Sequence, residues 1–263
     1  MTAHLSARML MNARLVPVCD TAADIGCDHG KLSVYLIEKK IATKVIAMDV
    51  AKGPLERAVK TINDAGLADR IITRLSDGAK ELKLDDNGRS EANVIIMAGI
   101  GGMLALKMVE DSPVVYKTCD CFIIQAQSNI DTVRERMNDM GYSIIDEDMV
   151  YEDGKYYTAI KYRYNTDDMT GVSYIAVSDE GSIIPHRGLS TEELLYGPVL
   201  IDKCDPVLHE YLIKESRNYK DIYNNLASME GMSARTDARK EDILKKSEIT
   251  DGLLHRVYGQ DIP

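Results

Sequence analysis

Three ionisable side chains crowd one short stretch of the chain: Asp24, Asp28 and His29, with Gly26 and Gly30 between and beside them, in ADIGCDHGKLSVYL. The stretch reads as a hydrophobic strand end, a polar turn with two glycines and an apolar-striped helix. Turns of this kind receive nucleotide-like ligands on the backbone N–H groups of the helix start. The spacing is not the G-x-G-x-x-G of a dinucleotide site, and carboxylates in this position repel a pyrophosphate. Adenosylmethionine presents a sulfonium, an ammonium and a single carboxylate. Asp24 and Asp28 suit that cationic end, so the loop favours adenosylmethionine over a dinucleotide. His29 either contacts substrate or bonds within its own loop, and the residues leave both readings open.

Three further turns bear on the same chemistry. Asp49 stands 25 residues after Asp24, where an acid accepts the two ribose hydroxyls of a nucleoside. Asp77-Gly78 ends the next apolar run; the aspartate suits an exocyclic amine of adenine, and the glycine admits the ring. Ala98-Gly99-Ile100-Gly101-Gly102 is a glycine-rich turn that lacks the Asn/Asp-Pro-Pro-aromatic tetrad of amine methylation. It leaves room for a flat base and offers backbone groups to its edge. A ring nitrogen with an in-plane lone pair, such as adenine N1, needs little activation, so catalysis here is chiefly alignment of nitrogen, methyl and sulfur.

These turns must be held by regular elements, and the pattern supplies them. Strands are expected at 22–25, 44–48, 71–75, 93–97 and 121–126, with helices near 31–40, 53–65, 101–111 and 130–140. This alternation specifies a parallel sheet with helices on both faces, and ligands of such sheets bind beyond the strand carboxyl ends. Residues 142–150 and 156–164 are strand-like and joined by Glu152-Asp153-Gly154, a hairpin signal. Tyr156, Tyr157, Tyr162 and Tyr164 are read as builders of that last strand. Five parallel strands followed by an antiparallel hairpin give an α/β, Rossmann-like class I methyltransferase sheet, in place of a dinucleotide fold. Residues 165–189 are a turn-rich linker or insertion. From Ser190 the chain turns helical, and Leu208, Leu212, Tyr219, Ile222, Leu226 and Met229 follow a 4,3 spacing. A second helical stretch, 236–257, returns to complete a small all-α hairpin. The expected organisation is a catalytic domain over 1–164 and a helical, coiled-coil-like domain over 190–263.

Charge and composition bound the rest. The chain has 263 residues, a net charge of −10 and 45% hydrophobic content. That charge argues against binding to any nucleic acid without discrimination. Residues 1–74 carry a balance of +3, residues 75–189 of −9 and residues 190–263 of −4. The basic surplus therefore lies with the glycine turn. No apolar run is long enough to span a membrane, and the N-terminus lacks a cleavage site, so a mature cytoplasmic protein is expected. Cys19, Cys27, Cys119, Cys121 and Cys204 lack a framework spacing and read as reduced structural thiols. The histidines show no metal-ligand grouping. The acidic runs 146–148 and 85–86 read as solvated faces or turns.

Together, LSARM, ADIGCDHGKL, MDVAKGPLERA, SDGAKEL, NVIIMAGIGGML, MGYSIIDEDMVYEDGKYYTAI and ELLYGPVLI make the chain resemble the bacterial tRNA (adenine(22)-N(1))-methyltransferases. The resemblance covers 5–163 and resumes near 190. It implies adenosylmethionine as cofactor, tRNA as partner, no metal, and a monomer or weak dimer. By matching motif it implies that Asp24, Gly26, Asp28, His29, Asp49, Asp77, Gly78, Gly99, Gly101 and Gly102 line the cofactor site. Arg8, His29, Gly99, Ile100 and Gly101 would face the reacting base, with Arg8 by the base or its phosphate. The chain departs from the family at Gly30-Lys31-Leu32-Ser33, at Ile100 and at Gln125-Ala126-Gln127-Ser128-Asn129. Two other readings stand beside this one: methylation of a small molecule, and a non-catalytic RNA-binding protein with a retained cofactor pocket.

Overall fold

The computed structural model describes residues 5–165, 174–177, 183–185, 188–228 and 234–260, with side chains of 174–177, 183–185 and 234–235 left aside. The chain divides into two compact units, Met1–Gly188 and Leu189–Pro263.

In the first unit a short helix, α1 (Ala7–Leu15), precedes the alternating pattern. Then follow β1 (Cys19–Ile25), α2 (Lys31–Glu38), β2 (Ala42–Asp49), α3 (Lys52–Asp64), β3 (Ile71–Leu75) and β4 (Val94–Ile100). After these come α4 (Gly102–Asp111), α5 (Pro113–Thr118), β5 (Cys121–Ala126), α6 (Ile130–Asp139), β6 (Tyr142–Glu152) and β7 (Lys155–Tyr164). Seven strands form one sheet in the order β3-β2-β1-β4-β5-β7-β6. The first five are parallel, and β7 and β6 are antiparallel, as the hairpin pattern indicates. The expected sheet is therefore the observed one.

The reasons are local. All six residues of β5 are buried, as befits a central parallel strand covered on both faces. The β6–β7 turn is made by Asp153 and Gly154 at φ 50° and 80°, the pair of positive angles that a two-residue I′ turn needs. Ala22, Val45, Val94, Ile96 and Ile123 on one sheet face join α1, α2 and α3 in a single apolar core. The other face carries Phe122, around which Tyr116, Tyr142 and Tyr162 pack at ring separations of 5.1 to 5.5 Å. Tyr162 thus builds the strand as expected.

One expectation is overturned here. Glu147, in the acidic run read as solvated, is 1% exposed and meets the equally buried Arg134 of α6 at 2.8 Å. A register shift between Ile144 and Asp146 turns Glu147 inward beneath α6. Its neighbour Asp148 pairs with Arg14 of α1 at 2.7 Å. Beyond β7, β8 (Tyr174–Val177) and β9 (Ile183–Pro185) form a two-stranded antiparallel pair.

In the second unit, α7 (Thr191–Tyr196) opens with a Ser190–Glu193 capping box and is followed by α8 (Pro198–Asp202). Two long helices, α9 (Pro206–Ala227) and α10 (Ala234–Tyr258), pack against each other. The 4,3 spacing buries Leu208 and Leu212 on α9, and Leu253 and Leu254 are buried on α10, whereas Tyr219, Ile222 and Leu226 stay half-exposed. Met229 lies outside the described residues.

Candidate active site

The sheet changes direction at β1, whose neighbours are β2 and β4. Ligands of doubly wound sheets sit at such a switch point, beyond the carboxyl ends. The turns after β3, β2, β1 and β4 stand there side by side. Three inter-strand steps span about 15 Å, the reach of a nucleoside with an attached chain.

The loop after β1 is set by two left-handed glycines. Gly26 has φ +78°, and a Cβ there would meet nothing within 4 Å, so the backbone faces open space. Its N–H and that of Cys27 both donate to Met48 O of β2, at 2.8 and 3.0 Å. Gly30, at φ +67°, caps α2 and lets Ala58 of α3 approach a would-be Cβ at 3.1 Å. Cys27 is buried, and burial pushes its thiol upward. It is an inert structural thiol.

Asp24 is enclosed at the end of β1. It is 3% exposed, accepts the Ser33 hydroxyl at 2.7 Å and also accepts the Ser33 backbone N–H. Gly30 has no side chain to cap α2, so Asp24 satisfies that orphan donor from the end of β1. Desolvation raises its carboxyl to about 6 despite these bonds, with Asp49 adding a smaller push. Asp24 thus ties β1 to α2 and tensions the loop between them.

Asp28 is exposed at φ 45° and pairs with Arg57 of α3 at 2.8 Å, and His29 Nε2 lies 3.6 Å from its other oxygen. The loop's anion is balanced by a cation that sequence patterning did not single out. His29, half-exposed beside Asp28, stays at the mouth of the loop.

Asp49 is half-buried at the tip of β2, with one carboxylate oxygen accepting Ala51 N–H at 2.9 Å. This turn fixes one oxygen of the side chain at the tip of β2. After β3, Ser76 accepts Glu81 N–H and donates to Gly78 O, closing a tight loop. Asp77 is exposed and already engaged by Lys80, which also reaches Asp111 at 3.2 Å. Gly78 is obligatory on two counts: φ is +63°, and a Cβ would stand 2.9 Å from Met108 Cγ of α4.

The turn after β4 is locked to the turn after β5. Gly99, at φ +75° in a bulge, donates its N–H to the buried Gln125 Oε1 at 3.0 Å. Gln127 N–H donates to Ile100 O at 2.8 Å. Gly101 lies against Ser128, and a Cβ on Gly102 would overlap Ser128 O at 2.3 Å. Gly102 is a close-packing residue at the start of α4, and Gly99, Ile100 and Gly101 present the open backbone. Sequence reasoning missed the function of Gln125, because its partner is a main-chain N–H with no signature of its own.

Arg8 lies apart from this row. The β6–β7 hairpin runs past the end of β5 at the carboxyl edge, and Arg8 stacks over Tyr157 of that hairpin at 5.0 Å. Glu152 at the hairpin tip accepts Ala7 N–H at 2.6 Å, so α1 is clamped to the hairpin at its first turn. Among the described residues no group of three or more His, Cys, Asp and Glu could hold a metal.

An open glycine backbone after β1, a strand-end carboxylate after β2 and a glycine-rich turn after β4 thus stand together at the carboxyl edge. Residues 5–160 match the methyltransferase domain family, and the chain belongs to that family. Its relatives narrow the class. The chain is 26% identical over 249 residues to the tRNA (adenine(22)-N(1))-methyltransferase of Bacillus subtilis, covering 95% of this chain and 94% of that one. Among solved structures, a Listeria monocytogenes protein of uncharacterised function aligns at TM-score 0.81 and 21% identity, over 95% and 100% of the two chains. The Bacillus subtilis enzyme aligns at 0.77 and 24%, over 96% and 99%. A Streptococcus pneumoniae protein solved with S-adenosyl-L-methionine aligns at 0.75 and 23%, over 96% and 100%.

Proposed function

We propose that this protein transfers the methyl group of adenosylmethionine to N1 of adenine 22 in tRNA. The observation that carries the reading is the end-to-end relation to the Bacillus subtilis enzyme of that name, combined with a carboxyl-edge crevice built for a nucleoside.

The residues present fit the cofactor. Gly26 offers an unobstructed backbone surface, and the Asp49 carboxylate at the end of β2 would accept the ribose hydroxyls. When bound, adenosylmethionine supplies an electrophilic methyl on a cationic sulfur. The chain's part is orientation. Gly99, held by Gln125, and Ile100 and Gly101 would form the floor for the base. Arg8, on its Tyr157 platform, meets the base or a neighbouring phosphate. Adenine N1 carries its own lone pair, so a general base is not required to create the nucleophile. His29 and Asp28 border the same mouth, next to Arg57.

Residues 1–164 form the catalytic domain in this reading, and 190–263 assist tRNA binding. Among the described residues no helix is long and apolar enough to cross a membrane, and the reading sets the enzyme in the cytoplasm. Incubation with adenosylmethionine and an unmodified tRNA transcript, followed by nucleoside analysis, is expected to yield 1-methyladenosine. A different methylated nucleoside, or methylation of small molecules only, would reassign the substrate.

A further inference from the structure

An acidic enzyme that acts on a polyanion must gather its cations locally, because its net field opposes the approach. The sequence balance sets the surplus in residues 1–74. The fold concentrates cations elsewhere. At the amino end of the sheet, opposite the crevice, lies an open cleft of about 630 Å³ lined by Arg89, Lys117, Asp120, Arg163 and Tyr164 beside the Pro17-Val18 turn. Its position follows from topology: Val18 precedes β1, Arg89 precedes β4, Asp120 precedes β5, and Arg163 and Tyr164 end the antiparallel β7. All three cations come from the stretch whose overall balance is −9.

The cleft is arranged for an anion. Asp120 is its one carboxylate, and it accepts Arg89 at 2.9 Å. The Asp120 carbonyl accepts Arg163 Nε at 3.1 Å, which aims the rest of that guanidinium outward. Lys117 stands 4.6 Å over the Tyr164 ring. All three cations are exposed, and among the lining side chains the charge sums to +2. Val18, 84% exposed, gives an apolar wall beside them. The Arg163 guanidinium, the Lys117 ammonium and an aromatic edge, beside an Arg89 held by Asp120, match phosphodiester oxygens with an adjoining sugar or base.

We propose that this cleft is a second RNA contact, which binds the phosphodiester backbone of the tRNA while the target nucleotide occupies the carboxyl-edge crevice. It rests on the tRNA reading above. β5, six residues long, separates the two edges by about 20 Å, a span that a folded RNA bridges. The contact is sequence-independent and sets orientation.

The test is tRNA binding by the full chain as a function of salt, for Lys117→Ala, Arg163→Gln and the double variant. Each single change is expected to weaken binding about 3- to 10-fold at ~0.1 M salt and to reduce the slope of log K against log salt by about 1, the double by about 2. Affinity for adenosylmethionine stays unchanged, which shows that the fold is intact. Wild-type affinity and slope in both single variants would overturn the proposal. So would loss of inorganic phosphate binding in the double variant with tRNA binding intact, since the cleft would then serve a free anion. A wild-type protein that binds tRNA with these slopes yet forms no 1-methyladenosine would refute the methylation reading and leave the cleft standing. Methylation with unaffected variants would do the reverse.

Discussion

Gln125 and Gly99 are joined by a hydrogen bond of 3.0 Å from the Gly99 N–H to the Gln125 side-chain oxygen, deep between β4 and β5. The bond fixes a left-handed glycine at the lip of the crevice. It also spends a fully buried glutamine on that one backbone group, with its amide nitrogen returned to Ala126 O. If the turn is the floor for the base, the bond governs alignment more than cofactor affinity.

Replacing Gln125 with Met keeps the volume and removes the acceptor. An unsatisfied buried N–H costs about 1–3 kcal/mol, enough to shift the turn and slow methyl transfer by about 10- to 100-fold. Adenosylmethionine affinity is expected to stay within about threefold, because the cofactor loop lies one strand away. Single-turnover rates beside calorimetric titration of the cofactor check this split. Equal loss of both would show that Gln125 serves stability alone.

Gly26 and Gly102 separate two uses of glycine. A Gly102→Ala side chain collides with the Ser128 carbonyl, so thermal stability should fall by about 1–3 kcal/mol. Gly26→Ala meets no atom and pays only for its left-handed backbone, about 1 kcal/mol, yet it projects into the ligand space. Denaturation midpoints should rank Gly102→Ala as the worse change, and cofactor titration should rank Gly26→Ala as the worse.

Asp24 makes stability depend on pH in a stated direction. Its folded value of about 6 lies above its ordinary 3.8, so the folded state holds the proton more tightly. The stabilisation from this group is present below pH ~4 and is lost as pH rises through about 6. The difference in unfolding free energy between wild type and Asp24→Asn should therefore shift against wild type by roughly 2 kcal/mol from pH 4 to pH 7. Urea unfolding of both proteins across that range measures it, and a constant difference would contradict the assignment.

The Arg134–Glu147 pair binds α6 beneath the β6 edge with both side chains at 1% exposure or less. Glu147→Gln or Arg134→Met alone strands a buried charge or its partner and should cost about 3–5 kcal/mol. The double change Arg134→Met with Glu147→Leu should recover most of that loss. A double-mutant cycle from denaturant unfolding reads the coupling, and additive losses would show that the pair does not act as a unit.

Much of the fold was legible because the sheet interior is buried on both faces and its turns carry glycine. β3 and β5 fall at the expected residues, and the antiparallel hairpin follows from Asp153-Gly154. What stayed hidden depended on residues meeting across the fold. Glu147 looks solvated in an acidic run until the register shift and α6 enclose it. The hydroxyl that Ser33 donates to the Asp24 carboxylate is likewise invisible in the sequence, because it reaches back from α2 to the end of β1. Arg57 balances Asp28 from a helix 29 residues on, and no spacing rule connects the two. The amino-edge cleft collects its cations from an acid-rich stretch, so composition pointed to the opposite half.

The proposed reaction at the carboxyl-edge crevice places one methyl on N1 of one defined adenine. The most direct measurement is methyl transfer from labelled adenosylmethionine to two tRNA transcripts, one natural in sequence and one with guanine replacing adenine 22, followed by nucleoside analysis. The account predicts 1-methyladenosine in the first transcript and no methyl incorporation in the second. Equal incorporation into both, or a methylated nucleoside other than 1-methyladenosine, would contradict it.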